Sequence, residues 1–568
     1  MIHPYPRRAA MLCAAIAATL FLLPDNAMAS GFPAPATITW FDCPSEVVSR
    51  EWTAAFAGRL QCGTMPAPLS YQEPDWVTVD IGLIRVRAAD ASKREGAIFF
   101  NFGGPGAHPA DYLPQTAASW QLASEDSQTD GDKRRIADRY DLVAVVPRGL
   151  HGSPQLHCGE APGMGNGPDP LIDLADWNWA GFVKDAREFA LRCGNQPLVR
   201  FVDTVSHVED MEYARLSMGE PRMNFFGVSY GTWVGSYYAR TFPEHMGRFV
   251  MDSSMDITST LEQIHATLPA AAQDRFERTI VRRVLDDPAY GVAGPDAAAV
   301  MARLDRVPAQ ARRAWMTQIV SPAHLAAVLT LGPWIEDERQ NWVDAEHWDT
   351  VGATLRERGR RHRFSTDHFV DLEIRAATED LIDMLHPEAV FEPDMAFGTY
   401  FAVACGDTRW NKTISDWRRT ASETAARYPV KGGGGIMTGL ICRHWNNGRF
   451  RPVAPMDRLA MAPPLLLVHA EHDTATPLPG AERTLAAMPS ARMIVARGME
   501  GHGVFGMSGT PCVEKAVGRY LLTGAVPAER STSCAFEPSA AGRPVREVGP
   551  WPSVDSLRDE LRRRFLRS

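Results

Sequence analysis

The sequence is poor in positive charge. Lys and Arg number 59 against 68 Asp and Glu, a formal charge of −9 over 568 residues, so no global basic field exists to hold nucleic acid. Past residue 29 no apolar run approaches 18 residues, short of the ~20 that a membrane-spanning helix needs, and no stable membrane insertion is expected of the mature chain. No two of the nine cysteines stand at the C-x-x-C-like spacing of a zinc site. The run Gly432 to Gly435 lacks a following Lys-Ser/Thr, which excludes a P-loop. Repeats and low-complexity tracts are missing too: 42 prolines and 45 glycines are spread along a chain of ordinary globular composition.

The N-terminus decides how the cysteines are read. Arg7 and Arg8 precede an apolar stretch from Ala9 to Leu23, and a Pro24-Asp25-Asn26 break leads to Ala27-Met28-Ala29. This is the layout of a secretory signal covering residues 1–29, so the chain is expected to be exported, to the periplasm or the medium. Cleavage removes Cys13 and leaves eight cysteines in an oxidising space, where four disulfides are expected. Many pairings are open, and order along the chain favours Cys43–Cys62, Cys158–Cys193, Cys405–Cys442 and Cys512–Cys534. Each closes a loop whose chain-entropy contribution is about 3–4 kcal/mol.

Short apolar runs bounded by turn residues recur at Ala97–Phe102, Leu142–Val146, Met223–Phe226, Phe249–Met251, Leu465–Val468 and Met493–Val495. Continuous apolar character predicts buried strands of a parallel sheet, and helical stretches such as Val208–Leu216 and Thr232–Phe242 between them predict an α/β fold. The strand signal stops from about Asp256 to Glu392, which reads as helical. The expected organisation is a first core part over 30–255, a helical cap inserted over 256–392, a second core part over 393–540, and a tail over 541–568 with an Arg-rich helix from Asp555. The basic cluster Arg356 to Arg363 reads as surface.

Gly227-Val228-Ser229-Tyr230-Gly231 follows a predicted strand and precedes a predicted helix. Glycines permit the tight turn that exposes a nucleophilic serine above a sheet. Such a serine needs a base, an orienter for the base and donors for an oxyanion, with the acid and then the histidine following it in the chain. Asp473 follows the strand ending near Ala470, and His502 stands between Gly501 and Gly503 after the next strand. The spacing is 244 residues from Ser229 to Asp473 and 29 from Asp473 to His502. Glu471 competes for the acid role. His469-x-x-His472 is loop decoration rather than a metal pair, since a ligand set needs more than one such pair. The amides of Gly103, Gly104 and Tyr230 are the expected oxyanion donors.

Together, Gly103-Gly104-Pro105-Gly106, Pro147-Arg148-Gly149, Gly227 to Thr232, Asp473-x-x-Thr476-Pro477, Gly501-His502-Gly503 and the closing stretch Cys512 to Cys534 resemble the α/β-hydrolase peptidases of the proline iminopeptidase and tripeptidyl aminopeptidase group. The likeness is strongest to secreted bacterial members with a TAP-like C-terminal segment. It implies an α/β-hydrolase fold, a mostly parallel sheet flanked by helices, and a serine aminopeptidase that releases Pro or di- or tripeptides. It implies acidic groups around the cap that bind a free peptide N-terminus, for which Glu336, Asp337 and Glu338 are the candidates. Three departures stand out: Val146 before Pro147, Ala107-His108-Pro109 after the glycine loop, and Met251-Asp252-Ser253 where relatives commonly have Leu-Asp-Gly. No metal or organic cofactor is required. The expected partner is a peptide or small acyl substrate, because a carboxylesterase uses the same triad on acyl esters.

Overall fold

The computed structural model describes residues 32–159, 174–292, 294, 296–308, 311–312, 315–316, 319–337, 348–383, 395–428, 430, 434–445, 451, 453–506 and 510–536. The expected signal segment, the C-terminal tail, Glu338 and the first two glycines of the run at 432–435 lie outside these residues.

The described strands form one ten-stranded sheet. They are β1 (Thr39–Phe41), β2 (Leu60–Pro68), β3 (Thr78–Val86), β4 (Gly96–Asn101), β5 (Tyr140–Val145), β6 (Met223–Val228), β7 (Met246–Asp252), β8 (Leu466–His472), β9 (Arg492–Glu500) and β10 (Ser531–Ala535). The order is β1-β2-β3-β5-β4-β6-β7-β8-β9-β10. β1, β2, β3 and β5 pair antiparallel, and every pair from β5–β4 to β9–β10 is parallel. The six apolar runs fall on β4 to β9. The antiparallel strands β1 to β3 and the edge strand β10 carry no such run, so their pairing emerges only in three dimensions.

Side chains alternate between two cores, as a period of two residues requires. Ala97, Phe99, Val143 and Leu467 face one core, while Ile98, Phe100, Leu142 and Leu466 face the other. Helices Leu113–Gln121, Gly131–Arg139 and Pro511–Thr523 cover the second face through Trp120, Ile136, Val517 and Tyr520. The first face is covered by helices that include α1 (Thr204–Ser217) and α2 (Tyr230–Thr241). Both faces are therefore closed, as a parallel sheet requires.

Between β7 and β8 the described residues are helical, beginning with α3 (Leu261–Arg275). Phe276 to Ile382, joined by Val430, build a hydrophobic cluster of their own. The following helices, α4 (Met395–Asp407), Ile414–Arg427 and Gly434–His444, pack instead into the core of the sheet through Phe401, Trp417 and Leu440. The strand-free stretch thus runs well past Glu392, where sheet-like sequence was expected to resume. The apolar run in α4 is buried helix, and a short apolar run cannot distinguish that from a buried strand. The Arg356–Arg363 cluster is tied up in ion pairs, Arg356 with Glu379 and Asp383 and Arg358 with Asp337.

The eight described cysteines pair as Cys43–Cys62, Cys158–Cys193, Cys405–Cys442 and Cys512–Cys534. No helix among the described residues is long and apolar enough to cross a membrane.

Arg148, of the Pro147-Arg148-Gly149 motif, ties the end of β2 to α1. Its guanidinium donates to both Asp210 oxygens at 2.8 Å and to the carbonyls of Pro68 and Leu69 at 2.9 and 2.6 Å. Asp210 also accepts from the Tyr71 hydroxyl at 2.9 Å. Both members of the pair are fully buried, so deleting one leaves an uncompensated charge. Arg148→Met is expected to lower unfolding free energy by about 3–5 kcal/mol, read as a shift in denaturant midpoint at constant m-value.

Candidate active site

The site assembles where β4, β6, β7, β8 and β9 end. β6 finishes at Val228 and α2 begins at Tyr230, leaving Ser229 alone in the turn with φ 60° and ψ −124°. A left-handed serine is strained and held only by its surroundings. The two flanking glycines make this turn possible. A Cβ on Gly231 would lie 2.3 Å from the Asn101 carbonyl oxygen, and one on Gly227 would lie 2.5 Å from that of Gly231. The Ser229 amide donates to the Asp252 carbonyl at 3.0 Å, continuing the β6–β7 register into the turn.

His502 and Asp473 meet from the loops after β9 and β8. His502 Nδ1 donates to Asp473 Oδ2 at 2.8 Å. Asp473 is fully buried, and the His502 side chain is 17% exposed, which leaves an edge of the ring open. Asp473 Oδ1 accepts from the Ala475 and Thr476 amides at 2.8 and 2.9 Å. Burial alone would raise the Asp473 pKa. The charge of His502 and the hydrogen bond to it, the neighbouring His469 and the Thr476 amide outweigh burial and hold it at about 2. Burial likewise works to lower His502, and the Asp473 charge, the shared hydrogen bond and the Asp252 charge reverse this and leave it above its ordinary 6.5.

The competing groups are engaged elsewhere. Glu471 accepts from Arg497 at 2.8 Å and from the Gly498 amide at 2.7 Å. His469 is wholly buried and uses both ring nitrogens on the backbone: Nδ1 accepts from the Ser254 amide at 3.1 Å and Nε2 donates to the Thr476 carbonyl at 2.7 Å. It has no nitrogen left for a metal.

The glycine loop after β4 lies directly on the serine turn. A Cβ on Gly103, whose φ is +93°, would stand 3.0 Å from Ser229 Cβ and 2.7 Å from the Val228 carbonyl oxygen. The Gly103 amide is committed to Asn101 Oδ1 at 3.0 Å. Gly103 is therefore corrected from oxyanion donor to spacer, because its only N–H is used within the loop. Gly104 and Tyr230 remain, and Tyr230 opens a helix whose leading amides have no partner inside it.

The two described members of the acidic triplet lie at the surface. Glu336 and Asp337 are exposed at the end of helix Pro322–Asp337, and Asp337 is 2.9 Å from Arg358. Neither lines the cavity of about 610 Å³ between α3 and the acid loop, whose walls include Asp274, Arg278, Glu471, Asp473 and Glu500.

Several residues at the site had no signal of their own in the sequence. Asn101, whose Nδ2 contacts His207 Nε2 at 3.0 Å, holds the glycine loop. Asp407 at the end of α4 accepts from the Trp233 indole and the Thr204 amide, both at 3.0 Å. The Thr204 hydroxyl touches both Asp407 and the Tyr230 hydroxyl. Asp252 accepts from the amides of Val504 and Phe505 just past His502, and burial pushes its carboxyl up to about 7. Polar residues at the ends of apolar runs are the trace these groups leave in the sequence.

Comparison with known proteins agrees with this architecture. The alpha/beta hydrolase fold family matches residues 131–326, and the TAP-like protein family matches residues 428–534. The tripeptidyl aminopeptidase of Streptomyces coelicolor is 27% identical over 529 residues, covering 91% of this chain and 89% of that protein. The serine protease Hip1 of Mycobacterium tuberculosis is 28% identical over 241 residues, covering 40% of this chain and 43% of its own length. A carboxylesterase B of Mycobacterium tuberculosis is 26% identical over 486 residues, covering 82% of this chain and 85% of that protein. With its parallel sheet, its strand-to-helix serine turn and its TAP-like C-terminal part, the chain has the α/β-hydrolase fold and is similar to the serine peptidases of the tripeptidyl aminopeptidase group.

Proposed function

We propose that the protein is an exported serine exopeptidase that cleaves peptide bonds near a free N-terminus and releases Pro or di- or tripeptides. The observation that carries this reading is the buried Asp473–His502 hydrogen bond, made by the loops after β8 and β9 on the sheet edge that also carries the left-handed Ser229 turn. Likeness over nine-tenths of the chain to a tripeptidyl aminopeptidase supports the peptide as substrate. Four disulfides support export, because they persist in oxidising compartments.

In the proposed reaction Ser229 Oγ attacks the scissile carbonyl while His502 Nε2 takes its proton. Asp473 fixes the His502 tautomer through Nδ1 and stabilises the imidazolium. The Gly104 and Tyr230 amides donate to the oxyanion as it forms, where preorganised donors act most strongly. His502 then protonates the departing amine, and water, activated by the same imidazole, releases the acyl product. Every step uses groups of this chain.

A second reading, an esterase acting on acyl esters with the same triad, is favoured by the likeness to a carboxylesterase over 82% of the chain. Free and N-acetylated peptide anilides assayed beside short acyl esters separate the two. The peptidase reading expects acetylation to abolish cleavage, and unchanged cleavage of the acetylated peptide would overturn it.

Ser229→Ala and His502→Ala are each expected to lower kcat by about four to six orders of magnitude while leaving thermal unfolding in place; wild-type turnover in either would remove that residue from the mechanism. The base must be neutral to accept a proton, so kcat/KM is expected to fall as pH drops through the His502 pKa. That pKa is raised, so the acidic limb of the profile lies above 6.5. Asp473, held at about 2, stays ionised throughout this range and adds no limb of its own. An acidic limb below 6.5 in kcat/KM contradicts this electrostatic account.

A further inference from the structure

Three described non-glycine residues have positive φ: Ala57, Ser229 and Ser253. The second is the serine of the elbow. The third follows Asp252 at the end of β7, and its φ of 56° is a conformation that glycine adopts freely and serine does not. A wholly buried serine kept in that conformation requires a reason.

Every polar group of Ser253 is engaged, and each bond reaches a different part of the site. Its amide donates to the Val468 carbonyl of β8 at 2.9 Å. Its carbonyl lies 3.0 Å from the Thr476 hydroxyl, which also stands 2.9 Å from Asp473 Oδ2. Its own hydroxyl accepts from the Gly503 amide at 2.7 Å and donates to Asp252 Oδ1 at 3.2 Å. Asp252 in turn accepts from the Val504 amide at 3.0 Å and from the Phe505 amide at 2.7 Å. Three consecutive amides after His502 are therefore held from one point at the end of β7, and the same point touches the acid loop.

We propose that Ser253 is a positioning residue, a hydroxyl clamp that fixes the His502 loop against the acid loop and sets the place of the imidazole over Ser229. This inference rests on the assignment of Ser229 and His502 as nucleophile and base. Glycine at 253 keeps the backbone and loses only the clamp. In such a chain the Gly503 amide loses its side-chain acceptor, while Asp252 still holds the two amides that follow. The serine thus trades a relaxed backbone for a fixed histidine.

The test compares Ser253→Gly and Ser253→Ala with the wild type. Ser253→Gly removes both the hydroxyl and the strain, so its Tm is expected to equal or exceed that of the wild type. Ser253→Ala keeps the strain and is expected to melt lower. Both are expected to lose kcat by between about tenfold and a hundredfold, the scale of a small misplacement of a catalytic group, with KM changed less than about twofold. A fluorophosphonate probe reads acylation at Ser229 without reference to any substrate, and its labelling rate is expected to fall by the same factor. A wrong choice between peptide and ester leaves this labelling comparison intact. Labelling at the wild-type rate in both variants, or a loss confined to KM, overturns the clamp. A wild-type protein that takes no label overturns the nucleophile and the clamp together.

Discussion

Parallel register is the constraint on which the site depends. β4, β6, β7, β8 and β9 pair in sequence and in one direction, so their C-terminal ends form a single edge. The loops leaving that edge carry, in order, the glycine loop, Ser229, Asp252 with Ser253, Asp473 and His502. Ligand sites of open α/β sheets gather at this edge for the same geometric reason. Slipping one strand by a residue would turn its side chains to the other face and separate Asp473 from His502. Two backbone bonds extend the register beyond the strands, from Ser229 to the Asp252 carbonyl and from Ser253 to the Val468 carbonyl. The loops are thus built as continuations of the sheet.

Burial acts on all the carboxylates of this edge, and the neighbours decide the outcome. Asp473, Asp252 and Asp407 are all pressed upward by desolvation. Of the three, Asp473 is the one hydrogen-bonded to the His502 imidazole, and it alone is driven down to about 2. Asp252 is held mainly by neutral amides and Asp407 by a threonine and an indole, and both rise to about 7. A carboxylate that stays charged can stabilise an imidazolium, whereas one poised near neutrality serves as an acceptor that organises backbone. The difference separates the orienting acid from its supporting residues without any difference in residue type.

The sequence was most legible where a rule is local. A glycine-flanked serine between strand and helix, an acid after a strand and a glycine-flanked histidine after the next are patterns of a few residues; the acid and the histidine meet, and the serine stands in its turn on the same sheet edge. The same holds for β4 to β9, whose burial on both faces leaves continuous apolar runs. What stayed hidden depends on contacts across the fold. β1 to β3 are recognisable only from their partners. The apolar run in α4 reads like a strand until its packing is seen. The commitment of the Gly103 amide to Asn101 is a matter of two residues and one angle, and no spacing rule reports it. Glu336 and Asp337 stand out by their charge and their place in the cap, but an acidic run carries no converging geometry, and Asp337 pairs with Arg358 at the surface.

The distribution of cross-links bears on how such a site tolerates change around it. All eight described cysteines fall outside 276–382, the span of the separate hydrophobic cluster apart from Val430. Cys158–Cys193 and Cys405–Cys442 lie in the core against the sheet, and Asp407, two residues past Cys405, reaches the serine turn through Thr204 and Tyr230. The part of the helical excursion that touches the elbow is therefore cross-linked within itself by Cys405–Cys442 and joined to the serine turn by a polar chain. The part with its own core carries none of the described disulfides. Loops and insertions that lie outside the fixed frame are where specificity varies among proteins of one fold. Here the frame includes Asp473, His502 and Ser253, so sequence change in the separate cluster between 276 and 382 leaves the hydrogen bonds that hold the acid and histidine loops intact.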